Sequence, residues 1–309
     1  MTGQGPVAVL GSTGFVGRAV VAALERRGVR VTPVRAPRVA AGTTDEKHTV
    51  GELVFALAGC TAVVNAAGLP DAAGDNLDGL RGANSVLPGL VAQAAGRVGA
   101  RMVHISSAAV QGAVTQLDSD ESTHAFSPYS ASKADGERAA LTAGTDGVVI
   151  YRPPGVHGAD RSLTRAIARL ARSPLASVAG AGERPTANAL VSNVGDAVAF
   201  LATTPIQPPR IVHHPSEDLT TADLLRSLGA REPRHVPDRL AVVVLAVARR
   251  VGHLRPPLLA HVRRLEMLWF GQSQAASWLT EAGWTPTHGR DEWVRLGRSL
   301  RNDDREEGR

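Results

Sequence analysis

The sequence predicts a doubly wound α/β fold, in which helices cover both faces of a parallel sheet, with a smaller C-terminal lobe. Two observations predict it. In the first half, apolar runs of about four to six residues alternate with segments of helical period, which is typical of buried parallel strands joined by crossover helices. Beyond residue 155, prolines become frequent and the predicted elements are short and irregular.

The elements of the first half follow in a regular order. In chain order they are a strand at Val7–Leu10, a helix at Arg18–Arg27, strands at Val29–Val34 and Ala62–Asn65, a helix at Leu87–Val98, a strand at Arg101–Ser106, a helix at Ala134–Leu141 and a strand at Val148–Tyr151. Most of these strands are continuous apolar runs, as expected when both faces of a sheet are covered. A parallel sheet between two layers of helices satisfies this pattern.

The change of composition after Arg152-Pro153-Pro154-Gly155 sets the expected domain boundary. Residues 1–155, with a returning segment at about 186–204, are expected to form one domain. Residues 156–301 are expected to form mainly the smaller, substrate-binding lobe. The polar residues 302–309 (NDDREEGR) predict a disordered tail.

Composition excludes several classes of protein. The chain has 309 residues and a single cysteine, Cys60, so neither an intrachain disulfide nor a cysteine-rich metal site can form. Lys and Arg number 34 against 29 Asp and Glu, and we interpret the basic residues as spread along the chain rather than as a nucleic-acid footprint. His213 and His214 are interpreted as surface or loop histidines, and no metal site is expected.

The longest apolar run, Leu240–Ala248, is bounded by Arg239 and by Arg249 and Arg250. Nine residues are too few for a helix that spans a bilayer, which needs about 20. We interpret the run as a buried helix, with docking on a membrane surface as the lesser alternative. No signal peptide is recognised, so the expectation is a cytoplasmic protein with no membrane or nucleic-acid partner.

A glycine-rich turn is the strongest local signal. Gly11, Gly14 and Gly17 lie between the first strand and the first helix, where glycine permits a tight turn and close approach of the backbone to a pyrophosphate. The helix N terminus adds N–H groups and the positive end of a dipole. In this strand–turn–helix context, the turn predicts a Rossmann-type dinucleotide-binding domain.

The end of the second strand indicates which dinucleotide binds. A carboxylate there would bond a ribose 2′-hydroxyl, whereas an arginine suits a 2′-phosphate. Here the strand ends in Arg35, Arg38 follows, and no carboxylate occurs before Asp45. Guanidinium groups pair with phosphate through two hydrogen bonds, so we predict NADP(H), with NAD(H) less favoured. Solvated surface arginines are the alternative interpretation.

Tyr129 and Lys133 form the candidate catalytic pair. They are four residues apart, so both lie on one face if the segment is helical. A tyrosine with an ordinary pKa of about 10 needs a nearby cation to act as an acid or base at neutral pH, and Lys133 can supply it. Ser106 and Ser107 end a predicted strand upstream, where a doubly wound fold places its site.

Several motifs together resemble the extended short-chain dehydrogenase/reductases, and more narrowly their NAD-dependent epimerase/dehydratase branch, over about residues 6–298. They are Gly11–Gly17, Asn65–Gly68, Ser106–Gly112, Tyr129–Lys133, Arg152–Gly158, Leu190–Val198 and Ala282–Pro286. Gln111 departs from the family, which often has an aromatic residue before this glycine.

The resemblance implies a role for each matching residue. Tyr129 would donate or accept the proton, Lys133 would stabilise its phenolate, and Ser107 rather than Ser106 would bond the substrate oxygen. The expected cofactor contacts are Gly11, Thr13, Gly14, Phe15, Val16, Gly17, Arg35, Arg38, Ala66, Ala67, Gly68, Lys133, Pro153 and Val156. The expected substrate contacts are Ala108, Gln111, His157 and Asn188.

We therefore predict an NADPH-dependent ketone reductase that acts on a small molecule, either a nucleotide-linked 4-keto-deoxysugar or a secondary-metabolite ketone. One alternative is an epimerase or dehydratase that retains NAD⁺, which Arg35 and the lack of a carboxylate next to Ser107 argue against. Another is a non-catalytic NADP-sensing regulator, which the complete catalytic set disfavours. By analogy with the family, the segments Leu87–Val98 and Ala134–Leu141 predict a homodimer.

Overall fold

The computed structural model describes residues 5–39, 45–70, 76–144, 146–254 and 257–307, with side chains except at 253–261 and 304–307. The chain divides into two compact units. Unit 1 comprises Met1–Pro154, Val191–Pro215 and Ala276–Thr287, and unit 2 comprises Gly155–Leu190, Ser216–Ala275 and His288–Arg309. The sequence places the returning segment at about 186–204, whereas unit 1 takes up the chain at Val191 and a second time at Ala276.

The elements are numbered in chain order. The strands are β1 (Val7–Leu10), β2 (Val31–Val34), β3 (Ala62–Asn65), β4 (Arg101–Ile105), β5 (Gln116–Leu117), β6 (Val148–Arg152), β7 (Gly155–His157), β8 (Ser177–Ala179), β9 (Asn188–Leu190), β10 (Ile211–His213), β11 (Arg234–Val236) and β12 (Ser273–Gln274). The helices are α1 (Phe15–Arg26), α2 (Glu46–Leu57), α3 (Leu77–Leu80), α4 (Leu87–Val98), α5 (Pro128–Ala143), α6 (Ser162–Arg172), α7 (Val191–Thr203), α8 (Thr221–Gly229), α9 (Asp238–Leu254), α10 (Pro257–Phe270), α11 (Trp278–Glu281) and α12 (Arg290–Glu307).

Unit 1 is built on a six-stranded parallel sheet in the order β10-β6-β4-β3-β1-β2, which confirms the predicted doubly wound fold. Strands β1, β3 and β6 are buried along their whole length, and their sequences are correspondingly apolar with little alternation. The strand order reverses at β1, which has β2 on one side and β3 on the other. In such sheets, ligands bind outside the carboxyl ends of the strands at this reversal.

Helix α4 lies against α2 and α5 within unit 1. Its apolar side chains, including Leu87, Leu90 and Val91, are buried in the core of the unit. The helix therefore does not present the free apolar face that the dimer hypothesis assigns to it, and the oligomeric state stays a prediction.

Unit 2 contains two short parallel strand pairs, β7–β9 and β8–β11, and its helices α6, α8 and α12 pack together. Helices α9 and α10 of the same unit contact each other. Trp293 is fully buried in its core among leucines of α8. The buried carboxylate of Glu217 accepts hydrogen bonds from the Leu190 amide (3.1 Å) and from Trp293 Nε1 (3.1 Å), which ties strand β9 to helix α12. Pairing of this kind is what makes a buried carboxylate tolerable.

Three predicted boundaries are wrong. Helix α1 begins at Phe15, directly after the glycine turn, and α5 begins at Pro128, because Ser127 and Ser130 form a capping box there. Helix α12 continues through Glu307, so residues 302–307 are helical where a disordered tail is predicted. The last two residues lie outside the described part of the chain.

The interpretation of the run Leu240–Ala248 as a buried helix is also wrong. The run lies on α9, but only Ala241 and Leu245 are buried in it. Leu240, Val243 and Val247 are 53%, 58% and 59% exposed. None of the helices in the described residues combines the length and the hydropathy needed to cross a membrane.

Candidate active site

The glycine turn between β1 and α1 is held by two close backbone approaches. Gly11 has φ +76°, and a Cβ atom there would lie 2.7 Å from the Ala67 amide nitrogen at the end of β3. A Cβ atom on Gly17 would lie 1.9 Å from the Gly11 carbonyl oxygen. The turn thus requires glycine at both positions, and it lies at the reversal of the strand order.

The turn fits a diphosphate. Gly14 is the N-cap of α1 and, having no side chain, leaves the helix end open; no acidic residue lies in the first turn. Thr13 and Gly14 are exposed, and Phe15 and Val16 are half-buried. The N-terminal amides and helix dipole favour an anion here. Arg18 donates to the Thr13 carbonyl (2.9 Å) and adds positive charge beside the turn. Sequence reasoning missed this residue, although it directly follows Gly17, the last glycine of the motif.

Gly17→Ala is expected to abolish dinucleotide binding, because the added methyl group would force the Gly11 carbonyl out of place and reshape the turn. Titration of NADPH fluorescence measures the affinity, with thermal unfolding recorded in parallel. Gly51→Ala on α2 is the matched control, since nothing lies within 4 Å of its Cβ position. NADPH affinity equal to the wild type in Gly17→Ala would contradict this assignment of the turn.

The end of β3 brings the predicted Ala66, Ala67 and Gly68 beside the turn. The Ala66 amide donates to the Leu10 carbonyl (3.0 Å) at the end of β1. A Cβ atom on Gly68 would lie 2.7 Å from Asn84 Oδ1 and 3.1 Å from Lys133 Nζ. Gly68 therefore lies next to the candidate catalytic lysine.

Asn84 is a second residue that sequence reasoning missed. Its buried amide accepts from the Leu69 N–H (2.9 Å) and donates to the Leu69 carbonyl (3.0 Å) and to Ser132 Oγ (3.1 Å). It thereby holds the chain after β3 against α5. Nothing local in the sequence singles it out, because polar residues, Arg81 and Ser85, also lie close to it in the chain.

Arg35 and Arg38 lie beyond the end of β2 and are exposed. Val34 pairs with Leu10, so Arg35 follows β2 at the same edge of the sheet at which Gly11 follows β1. Asp45, the first acidic residue after β2, caps α2 by accepting from the His48 amide (3.1 Å). Positive charge thus stands where the adenosine ribose of a dinucleotide is expected.

Helix α5 carries both members of the candidate catalytic pair, as the spacing predicts. Tyr129 lies in its first turn, half-buried, and Lys133 lies one turn later, buried. Lys133 Nζ donates to the Ile105 carbonyl (3.0 Å) at the end of β4. Burial lowers the pKa of Lys133 to about 8, although the nearby Glu137 carboxylate acts to raise it.

The two serines after β4 have different environments. Ser107 is half-exposed and caps the short 3₁₀ turn Ala108–Gln111, its Oγ accepting from the Ala109 amide (3.2 Å). Since Ser107 acts there as an acceptor, its hydroxyl hydrogen can be directed at a ligand. Ser106 is buried and hydrogen-bonds Glu137. This difference supports the choice of Ser107 over Ser106.

A buried ion pair lies beneath the site and was missed by sequence reasoning. Arg152 Nη2 donates to Glu137 Oε2 (2.7 Å) and its Nε donates to Oε1 (3.0 Å). Arg152 Nη1 also donates to the Asp120 carbonyl (2.6 Å). Glu137 therefore connects two neighbouring strands: it bonds Ser106, which follows β4, and Arg152, which ends β6. Glu137 lies on α5, one helical turn after Lys133.

The predicted substrate residues fall in both units. In unit 1, Ala108 is buried, and the buried Gln111 amide donates to Asp118 Oδ1 (2.6 Å). In unit 2, His157 Nε2 donates to Asn188 Oδ1 (2.8 Å), and burial lowers the pKa of His157 to about 4, so the ring is neutral at pH 7. Their roles toward a substrate stay predictions.

The predicted nicotinamide contacts are also divided between the units. Pro153 belongs to unit 1, where its carbonyl accepts from the Ala108 amide (2.9 Å). Val156 lies on β7 of unit 2 and is buried. Their contacts with a cofactor stay predictions.

The interpretation of His213 and His214 as surface or loop residues is wrong for His213, which is buried on β10. His214 does lie in the loop that follows β10, but it is buried as well. His213 Nδ1 lies 2.8 Å from Ser119 Oγ, and His214 Nδ1 lies 2.5 Å from Tyr151 Oη. Across the part of the chain that the structure describes, no group of three or more His, Cys, Asp or Glu side chains is placed to hold a metal ion.

Comparison with known sequences identifies a family. The sequence profile of the NAD dependent epimerase/dehydratase family matches residues 7–202. A ceramide reductase of Caulobacter vibrioides (strain NA1000 / CB15N) is 30% identical over 208 residues, which are 64% of this chain. The match spans 60% of the length of that relative.

Comparison with solved structures supports the fold over almost the whole chain. MoeE5 in complex with UDP-glucose and NAD is 18% identical, with a TM-score of 0.65 over 97% of this chain and 99% of that one. The dTDP-4-dehydrorhamnose reductase of Bacillus anthracis str. Ames with NADP is 16% identical, with a TM-score of 0.65 over 95% and 98%. The UDP-glucuronic acid 4-epimerase of Bacillus cereus with NAD is 15% identical, with a TM-score of 0.65 over 96% and 99%. The profile match, the glycine turn and the parallel sheet agree: the chain belongs to the NAD dependent epimerase/dehydratase family.

Proposed function

We propose that the protein is an NADPH-dependent reductase of a ketone. The observation that carries the proposal is Lys133, a buried lysine one turn after Tyr129 on α5, anchored to the end of β4 at the Ile105 carbonyl. A cation held in this way favours the ionised form of a neighbouring phenol. Ser107 offers its hydroxyl at the end of the same strand.

Each of Ser107, Tyr129 and Lys133 would have a separate role in the reduction. The bound nicotinamide would supply the hydride that the carbonyl carbon accepts. Ser107 would donate a hydrogen bond to the carbonyl oxygen, and Tyr129 Oη would transfer its proton to that oxygen as the alcohol forms. Lys133 would stabilise the resulting phenolate until a proton from solvent restores it.

The exposed arginines after β2 support NADPH as the cofactor. Wild type is expected to bind NADPH more tightly than NADH by about tenfold or more, since bonds to an ionised phosphate contribute about 1.5–3 kcal/mol each. Arg35→Gln/Arg38→Gln is expected to remove this preference by weakening NADPH binding alone. Titration of nucleotide fluorescence measures both affinities, with the exposed Arg97→Gln as control. Equal affinities in the wild type would contradict the assignment.

The relatives support two candidate classes of substrate. The Bacillus anthracis protein is named a dTDP-4-dehydrorhamnose reductase, which supports a nucleotide-linked keto sugar. The Caulobacter relative is named a ceramide reductase, which supports a ketone on a lipid as a second candidate. Turnover of a panel of nucleotide-linked keto sugars and long-chain keto lipids, followed by loss of NADPH absorbance, separates the two. Turnover of neither, together with NAD⁺ retained through purification, would favour the epimerase alternative.

A further inference from the structure

An exposed apolar surface runs along α9 in unit 2. It consists of five side chains, which we call the α9 stripe: Leu240, Val243, Val244, Val247 and Val251. Their exposed fractions are 53%, 58%, 38%, 59% and 45%. Single exposed apolar residues are ordinary on a protein surface, but a contiguous set marks an interaction site.

Helix α9 exposes one apolar side and buries another. The five residues recur at intervals of three and four, so they share one side of the helix. Ala241 and Leu245 lie on another side and are buried against Trp269 of α10. The helix therefore uses its small core-facing side to attach to the unit and turns its larger aliphatic side outward.

Arginines outnumber acidic residues around the stripe. Residues 238–270 contain six arginines and two acidic residues, a net charge of +4. Both acidic side chains are paired: Asp238 Oδ1 lies 3.1 Å from Arg184, and Glu266 contacts Arg249 and, at 2.9 Å, Arg263.

We propose that the α9 stripe docks on the surface of a membrane that contains anionic lipids. Valine and leucine side chains would enter the boundary between headgroups and acyl chains, and Arg239 and Arg250, both exposed and eleven residues apart on one flank of the helix, would meet lipid phosphates. A helix of 17 residues is about 25 Å long, less than the thickness of the hydrocarbon core, so it would lie in the plane of the membrane.

Charge favours a membrane over a second copy of the chain. A two-fold antiparallel pairing of α9 through the stripe would place Arg239 beside Arg250 of the second copy, with like charges in contact at both ends. An anionic lipid surface complements the same residues. Docking on a membrane surface is the lesser of the two interpretations that the sequence offers for Leu240–Ala248. It is independent of whether the protein reduces a ketone.

The test is partitioning of the full chain onto vesicles. Wild type is expected to sediment with vesicles of phosphatidylcholine containing about one fifth phosphatidylglycerol, and to bind pure phosphatidylcholine about tenfold less. Raising the salt from about 0.1 M to about 1 M should weaken the binding, because the Debye length falls from about 10 Å to about 3 Å. Val243→Ser/Val247→Ser and Arg239→Gln/Arg250→Gln should each weaken binding to anionic vesicles about tenfold or more.

Phe55→Ser is the matched control, because Phe55 is 88% exposed on α2 of unit 1 and lies outside the stripe. It should bind vesicles as the wild type does. All variants should keep wild-type thermal unfolding and NADPH affinity, since their side chains are exposed. Failure of the wild type to bind anionic vesicles, wild-type binding by the stripe variant, or a wild-type dimer that Val243→Ser/Val247→Ser converts to monomer would each overturn the proposal.

Discussion

Tyr129→Phe is expected to lower kcat/KM for ketone reduction by about 10²–10⁴-fold, the range typical for loss of a general acid. The change removes one oxygen, so the fold and the capping box at Ser127 should persist. NADPH affinity should stay close to the wild-type value, because the hydroxyl is expected to act on the substrate oxygen. The measurement is the initial rate of NADPH oxidation with a ketone substrate, together with NADPH titration.

Tyr151→Phe is the matched control, because Tyr151 is the only other tyrosine in the chain. Its hydroxyl is buried against His214 Nδ1 (2.5 Å), so its loss should cost stability rather than turnover. If both variants turn over as fast as the wild type, Tyr129 is not the proton donor and the reductase proposal fails. If both lose turnover and NADPH binding together, the effect is structural.

The glycine turn and the Tyr129–Lys133 pair could be predicted because each depends mainly on residues that are close together in the sequence. Glycine is required at positions 11 and 17 by close backbone contacts around a single strand–turn–helix unit. Two residues spaced four apart lie on the same face of a helix, wherever that helix packs in the protein. The fold class could also be predicted, since parallel strands that are buried on both faces have continuous apolar sequences.

The rest depends on contacts between residues far apart in the chain. Asn84 reaches Ser132 across 48 positions, and Tyr151 reaches His214 across 63. A pattern of apolar residues also does not say whether anything covers them, which is why the sequence alone wrongly predicts a buried position for the Leu240–Ala248 run. Periodicity identifies a helix and its faces, but only the packing of other elements decides which face is buried.

Glu137→Gln is expected to destabilise the protein by roughly 3–5 kcal/mol, because it leaves the Arg152 guanidinium buried without its carboxylate. Urea unfolding measures the change. Asp135→Asn is the matched control on the same helix: Asp135 is 54% exposed and pairs with an exposed arginine, Arg138, so its loss should change stability by less than about 1 kcal/mol. Equal stability of Glu137→Gln and the wild type would contradict the role of the pair.

The same substitution should move the pH dependence of the reaction. The Glu137 carboxylate raises the pKa of Lys133 against the effect of burial, which lowers it to about 8. Lys133 is charged below this pKa, so kcat/KM should be level below about pH 8 and fall above it, and Glu137→Gln should shift that fall to lower pH. In Glu137→Gln/Arg152→Gln the uncompensated cation is gone, so part of the stability should return while the fall in rate stays at the lower pH. A merely structural role for Glu137 predicts the opposite: recovery of stability would bring the wild-type pH profile back with it.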